Sequence, residues 1–239
     1  MNPHPPLDGI FPITDEMRAS FLELGCLRLR GLCSAGEMSV FAEVVEDAFW
    51  RAHGIPMRHD GSDRPTIRAR NLWRHNPSLA QFTLSKRFGR IAAELLGTDR
   101  SRLWSEEAQF TEPGGLESAW HQVQVAEASP FPLVQLWMPL HLITADMMGP
   151  RLAWKSHLAG EREVPPNPDH DFALQIAGER LSTQQIQEMA PGDAIFIHGL
   201  TLQAMPRNYS RWTREVISMT WVDGAATLDE QQHPIVFSH

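Results

Sequence analysis

From about Leu103 onward the chain consists of short segments rich in β-branched and aromatic residues, each closed by a turn signal. LWSEEAQFTE, WHQVQVAE, LVQLWMPLHLI, RLAWKS, GDAIFIHGLTLQAM and REVISMTWV follow one another, with Gly and Pro between them. Strands this short cannot bury both faces alone, so the pattern restricts the chain to an all-β sandwich or barrel over this stretch.

The first hundred residues have a different texture. Thr14 can cap a helix through about Leu24, which Gly25 ends, and Cys26, Leu27 and Leu29 then read as a short strand. Ser34 with Glu37 forms a capping box. Val40, Phe41, Val44, Val45, Ala48 and Phe49 fall at helical spacing, with Gly54 as the stop. The spacing predicts a third helix from about Pro77 to Leu96, stopped by Gly97. Residues 55–76 read as a loop carrying Arg58, Arg64, Arg68, Arg70 and Arg74, either a solvated surface or a lid that meets an anionic substrate. The expected class is therefore mixed and mainly β. Residues 1–239 are read as a single domain, with a helical portion over about 1–100, a β core over about 101–225 and an insertion between strands at 160–190.

Composition narrows the partners. A net charge of −8 argues against general binding to nucleic acid or anionic membranes. No apolar run approaches the ~20 residues that span a bilayer. No basic stretch followed by an apolar core opens the chain, so no leader is expected. Two cysteines, Cys26 and Cys33, make no disulfide framework, and a cytoplasmic protein with a small-molecule substrate is the expectation.

Four phrases carry a resemblance. FLELGCLRLRGLCSAGEM (21–38), WHQVQ (120–124), LWMPLHLITADMMGPRLAWKSH (136–157) and PGDAIFIHGLTLQAMPRNYSRWTR (191–214) occur in that order. Together they resemble the phytanoyl-CoA dioxygenase family of iron(II)/2-oxoglutarate oxygenases. The resemblance implies a double-stranded β-helix (a jelly-roll, cupin-like barrel) with N-terminal helices packed on one side. It also implies a metal held by a His and an Asp from H-x-D and by a second, distal His. His121 matches the first ligand, Val123 stands where the Asp belongs, and Gln203 stands where the distal His belongs. Arg214 matches the Arg that pairs with the distal carboxylate of 2-oxoglutarate, although pairing with Glu215 or Asp193 is an equal alternative. Gln109 and Glu112 lie where the family often has a basic or amide residue.

Two of three ligands are thus replaced by groups that hold iron poorly or not at all. The expectation is a degenerate metal site, no cofactor, and a redox-neutral isomerase, cyclase or lyase of specialised metabolism acting on a small, mostly apolar molecule. His121, Gln203 and Gln122 are the candidate catalytic residues, and Trp120, Val123, Trp137, Met138, Met205, Trp212 and Arg214 the candidate pocket. Two alternatives stand beside this. One is an iron(II)/2-oxoglutarate dioxygenase with atypical ligands, rewired through His198, His141 or His157. The other is a binding protein that uses the same pocket without catalysis.

Overall fold

The computed structural model describes residues 7–53, 66–162, 174–176 and 179–238. Its helices are α1 (Asp15–Leu24), α2 (Ala35–His53), α3 (Pro77–Thr83), α4 (Lys86–Leu96) and the single turn α5 (Val123–Ala126). In the first half of the chain the strands are β1 (Cys26–Leu29), β2 (Thr66–Arg70), β3 (Arg100–Thr111), β4 (His121–Gln122) and β5 (Leu133–Pro139). In the second half they are β6 (Arg151–Ala153), β7 (Gln175–Ile176), β8 (Glu179–Arg180), β9 (Thr183–Gln185), β10 (Ala194–His198), β11 (Leu202–Ala204), β12 (Arg214–Asp223) and β13 (Ile235–Ser238).

Local chemistry sets the helix ends. The Thr14 side chain accepts from the Met17 amide, and Gly25 closes α1 in the left-handed region at φ 81°. A Cβ there would lie 2.4 Å from Thr201 Oγ1, so the turn needs glycine for space as well as for torsion. The Ser34–Glu37 box forms in both directions, with the Ser34 amide 2.7 Å from a Glu37 carboxylate oxygen and the Glu37 amide 3.2 Å from Ser34 Oγ. The expected single helix over 77–96 is two helices. Ser85 adopts an extended backbone between them, and its hydroxyl donates to the Leu7 carbonyl, a tertiary bond that a continuous helix would forgo.

The strands form two principal antiparallel sheets. The larger runs β1-β10-β5-β12-β3-β13, with β2 paired to β3; the smaller runs β4-β11-β6-β9. Strand alternation gives the larger sheet two apolar faces. Leu136, Met138, Phe196, Ile217 and Met219 join Phe21, Phe41, Phe49, Phe82 and Phe88 of the helices in one core. Trp137, Ile195, Ile197 and Val216 point the other way and pack with Leu152 of the smaller sheet. The result is the expected mainly β, jelly-roll arrangement with helices on one side.

The expected loop at 55–76 is in part a strand, because β2 pairs in register with β3 from Thr66↔Thr111 to Arg70↔Glu107. This fixes Arg68 and Arg70 on a sheet edge instead of a lid. Arg58, Arg64 and Gly54 lie outside the described residues, as does most of the Pro-rich start of the 160–190 insertion. Both cysteines are free, and burial pushes the Cys26 thiol up to about 11 and that of Cys33 to about 12. Among the described residues no helix is long and apolar enough to cross a membrane.

Candidate active site

A cavity of about 430 Å³ opens between the two sheets, within the ~300–1,000 Å³ usual for small-molecule sites. Strand β4 brings His121 to its wall, and β11 pairs Gln203 directly opposite, so cross-strand neighbours share the face. Val123, Gln135, Trp137, Met205 and Ser218 complete the interior, and Arg68, Arg70, Glu107, Gln109 and Glu127 form the rim. The lining is more polar than the mostly apolar pocket expected from the sequence.

The His121 ring is held in one tautomer. Its Nδ1 lies 3.0 Å from the Ala119 carbonyl, which can only accept, so Nδ1 carries the proton and Nε2 the lone pair. Burial lowers the His121 pKa; the Ala119 carbonyl opposes this, nearby Arg68 adds to it, and Glu107 opposes it. The neutral imidazole is therefore favoured at neutral pH. Across the ladder, the Gln203 amide nitrogen donates to Gln135 Oε1 at 3.0 Å.

Val123 lies in a place the sequence did not indicate. Strand pairing stops at Gln122, and Val123 begins α5, so strand alternation does not place Val123 on the face of His121. It still reaches the cavity, and it packs against Leu133, Val222 and Ala226. Apolar side chains thus surround the position of the expected carboxylate.

Charge on the rim is arranged around Glu107 and Glu127. Arg70 Nε sits 3.1 Å from Glu107 and its terminal nitrogen pairs with Glu127, while Arg68 lies 3.6 Å from Glu107. Arg214 is different. It is 1% exposed, and its guanidinium donates to the carbonyls of Met147, Met148 and Pro206 at 2.7–3.0 Å. No carboxylate pairs with it among the described residues, and its Nε has no partner. Burial pulls this guanidinium down to about 10, which still leaves it charged at neutral pH. Neither sequence alternative for its partner forms, since Asp193 pairs with Arg28 at 2.9 Å and Glu215 projects from the opposite face of β12. Arg214 borders a smaller cavity lined also by Gln109, Ser118 and Met205, and those three line the larger cavity too.

Several candidates project elsewhere. Gln122 is fully used on the far side of β4, donating to Gly160 and Leu200 and accepting from the Arg162 amide. Trp120 packs with Leu202 and Ala204 away from the cavity, and Met138 belongs to the core beneath the helices. Trp212 is 61% exposed, with Arg211 over its ring. His198 ends β10 in the larger sheet, whereas Gln203 is on β11 in the smaller one. His198 Nδ1 accepts from the Leu200 amide, and His157 Nε2 lies 3.0 Å from the Leu22 carbonyl.

The phytanoyl-CoA dioxygenase family model matches residues 21–216. The chain belongs to the phytanoyl-CoA dioxygenase family. No curated protein sequence matches it. Among solved structures with this phytanoyl-CoA dioxygenase fold is the non-heme alpha ketoglutarate dependent epimerase SnoN from nogalamycin biosynthesis. It superposes with a TM-score of 0.74 at 16% identity, covering 94% of this chain and 96% of that one. The alpha ketoglutarate dependent carbocyclase SnoK from the same biosynthesis superposes at 0.70 with 18% identity, covering 88% and 84%. A complex of SnoN with Fe3+, alpha ketoglutarate and nogalamycin RO superposes at 0.68 with 17% identity, covering 93% and 98%. Likeness at this identity shows the fold.

These findings correct the expectation that no cofactor is involved. A structure of the same fold holds iron and alpha ketoglutarate, and this member of the phytanoyl-CoA dioxygenase family carries three grouped side chains, Glu46, His141 and Glu215, that could hold a metal ion. No sequence motif announced that group. Its members come from α2, from the residue pair after β5 and from β12, so only the fold brings them together.

Proposed function

We propose that this chain is an enzyme of specialised metabolism that binds a small carboxylate-bearing molecule between its sheets. In this reading it moves a proton within that molecule, as an epimerase, isomerase, cyclase or lyase does. The observation that carries the reading is the His121 ring, held by the Ala119 carbonyl with an accepting Nε2 at the cavity wall. A positioned neutral imidazole can take a proton from carbon or oxygen and return it to another atom of the same molecule, a step that needs no net oxidation. The amides of Gln203 and Gln135 would orient a carbonyl beside it. Glu107 favours the imidazolium formed in between.

Arg214 supports the carboxylate. A buried cation without a counter-charge is costly, and an anion beside its free Nε would relieve that cost. A carboxylate of the substrate, or of 2-oxoglutarate, fits it equally; bound with iron, 2-oxoglutarate supplies the electrons that reduce oxygen. The family's iron position itself is a poor match. His121 is the one strong ligand there, Val123 has no donor atom, and Gln203 offers only a neutral amide oxygen, a weak ligand. No step is therefore assigned to a metal at His121.

The test is proton exchange in D2O. Carboxylic acids of cyclic and sugar-derived metabolites would be incubated with the protein and followed by NMR for deuterium entering a carbon position. Wild type should exchange at one carbon of an accepted compound, and His121→Asn should slow this by roughly 10²-fold or more. Turnover that instead consumes oxygen and 2-oxoglutarate in step with product, with no solvent deuterium in it, would overturn the reading.

A further inference from the structure

We propose that Glu46, His141 and Glu215 form a binding site for one divalent transition-metal ion, on the face of the large sheet opposite the cavity. The three ligand atoms lie within 4.8 Å of one another. His141 Nε2 is 2.6 Å from Glu46 Oε1 and 3.3 Å from Glu215 Oε2, so both carboxylates converge on the same ring nitrogen. Ligands about 2.0–2.2 Å from a tetrahedral ion lie roughly 3.3–3.6 Å apart. The Glu215 contact already has that spacing. The Glu46 contact is a hydrogen bond and must open by about 1 Å, within reach of a partly exposed side chain at a helix surface.

Charge points the same way. Two carboxylates face a single imidazole, and neither is paired with a Lys or Arg among the described residues. One imidazole with two carboxylates suits zinc, cobalt, iron or manganese better than calcium or magnesium, which prefer oxygen alone. The backbone beneath each ligand is fixed. Leu140, next to His141, donates its amide to the Glu215 carbonyl at 2.9 Å and is itself buried. Glu46 sits on α2 beside Val45, which is fully buried in the helix-side core.

The location separates this site from the family's iron position. Arg214 and Ser218 of β12 line the cavities and Val216 packs between the sheets, so Glu215 projects to the helix side with Ile217 and Met219. An ion held there touches nothing bound at His121. It would clamp α2 to the sheet.

Cobalt(II) is the probe, added to metal-free protein and followed by its visible absorption and by the melting temperature. Saturation at one cobalt per chain with a rise in Tm is expected. His141→Ala and Glu46→Gln should each weaken binding at least tenfold, and both replace side chains that are not core. His121→Ala should leave it unchanged. Absence of saturable binding, binding that survives His141→Ala, or binding lost in His121→Ala would each overturn the proposal. This test is independent of the proton-exchange experiment, since either site can fail without the other.

Discussion

A carboxyl group buried among apolar side chains works against its own charge, and Glu106 is the plainest instance. It is fully buried on β3; one oxygen accepts from the Trp73 amide at 3.2 Å, and the other has no partner. Burial pushes its pKa from 4.5 up to about 7, despite the backbone amides of Trp73 and Leu72. Because the folded pKa lies above the unfolded one, the cost is absent below pH 4.5. It grows as the pH rises toward 7 and is complete above that. Glu106→Gln should therefore stabilise the fold by about 1–3 kcal/mol at pH 8 and hardly at all at pH 4, as chemical denaturation at the two values would show. At this scale the placement of side chains was legible where one short motif carried them. W-H-Q-V-Q located His121 on the cavity, and the late strand located Gln203 opposite it. It was not legible where partners are far apart in the chain, as with Glu46, His141 and Glu215, or where a side chain's direction depends on which strand ends first, as with Gln122 and Val123.

Elements meet closely where α4 crosses the end of the large sheet. Gly89 faces β13 there, and a Cβ added to it would lie 2.6 Å from Val236 Cγ1. The Gly89 carbonyl also accepts from Ser101 Oγ at 2.7 Å, which ties the helix to β3. Gly89→Ala should lower stability by about 1–3 kcal/mol through overpacking, in spite of alanine's better helix propensity. Adding Val236→Ala should return part of that loss, so the double variant should melt above the sum of the two single effects. Capping signals announced α1 and α2 because they depend on residues three apart. The division of 77–96 into α3 and α4 depends instead on Ser85 reaching Leu7, a contact seventy-eight residues away in sequence.

On the scale of the whole molecule, two sheets hold a polar cavity between them, and helices cover the outside of the larger one. Arg214, on the smaller cavity that adjoins it, is a buried charge paired with no carboxylate among the described residues, so a small dicarboxylate such as 2-oxoglutarate should raise the melting temperature of the wild type. Arg214→Gln should abolish that rise, and a rise that persists in the variant would remove Arg214 from the binding site. The arrangement of layers was readable from the rhythm of short strands after helices, whereas the polarity of the cavity was not, because Gln135, Glu107 and Glu127 look like ordinary strand and turn residues until the sheets are closed. One detail of the layering has a wider meaning. Arg214 and Glu215 are neighbours in the chain, yet one looks into the cavity and the other out beneath the helices. A single peptide bond thus serves as a party wall between two rooms. By linkage, whatever a guest in one room does to the affinity for a guest in the next is returned in equal measure.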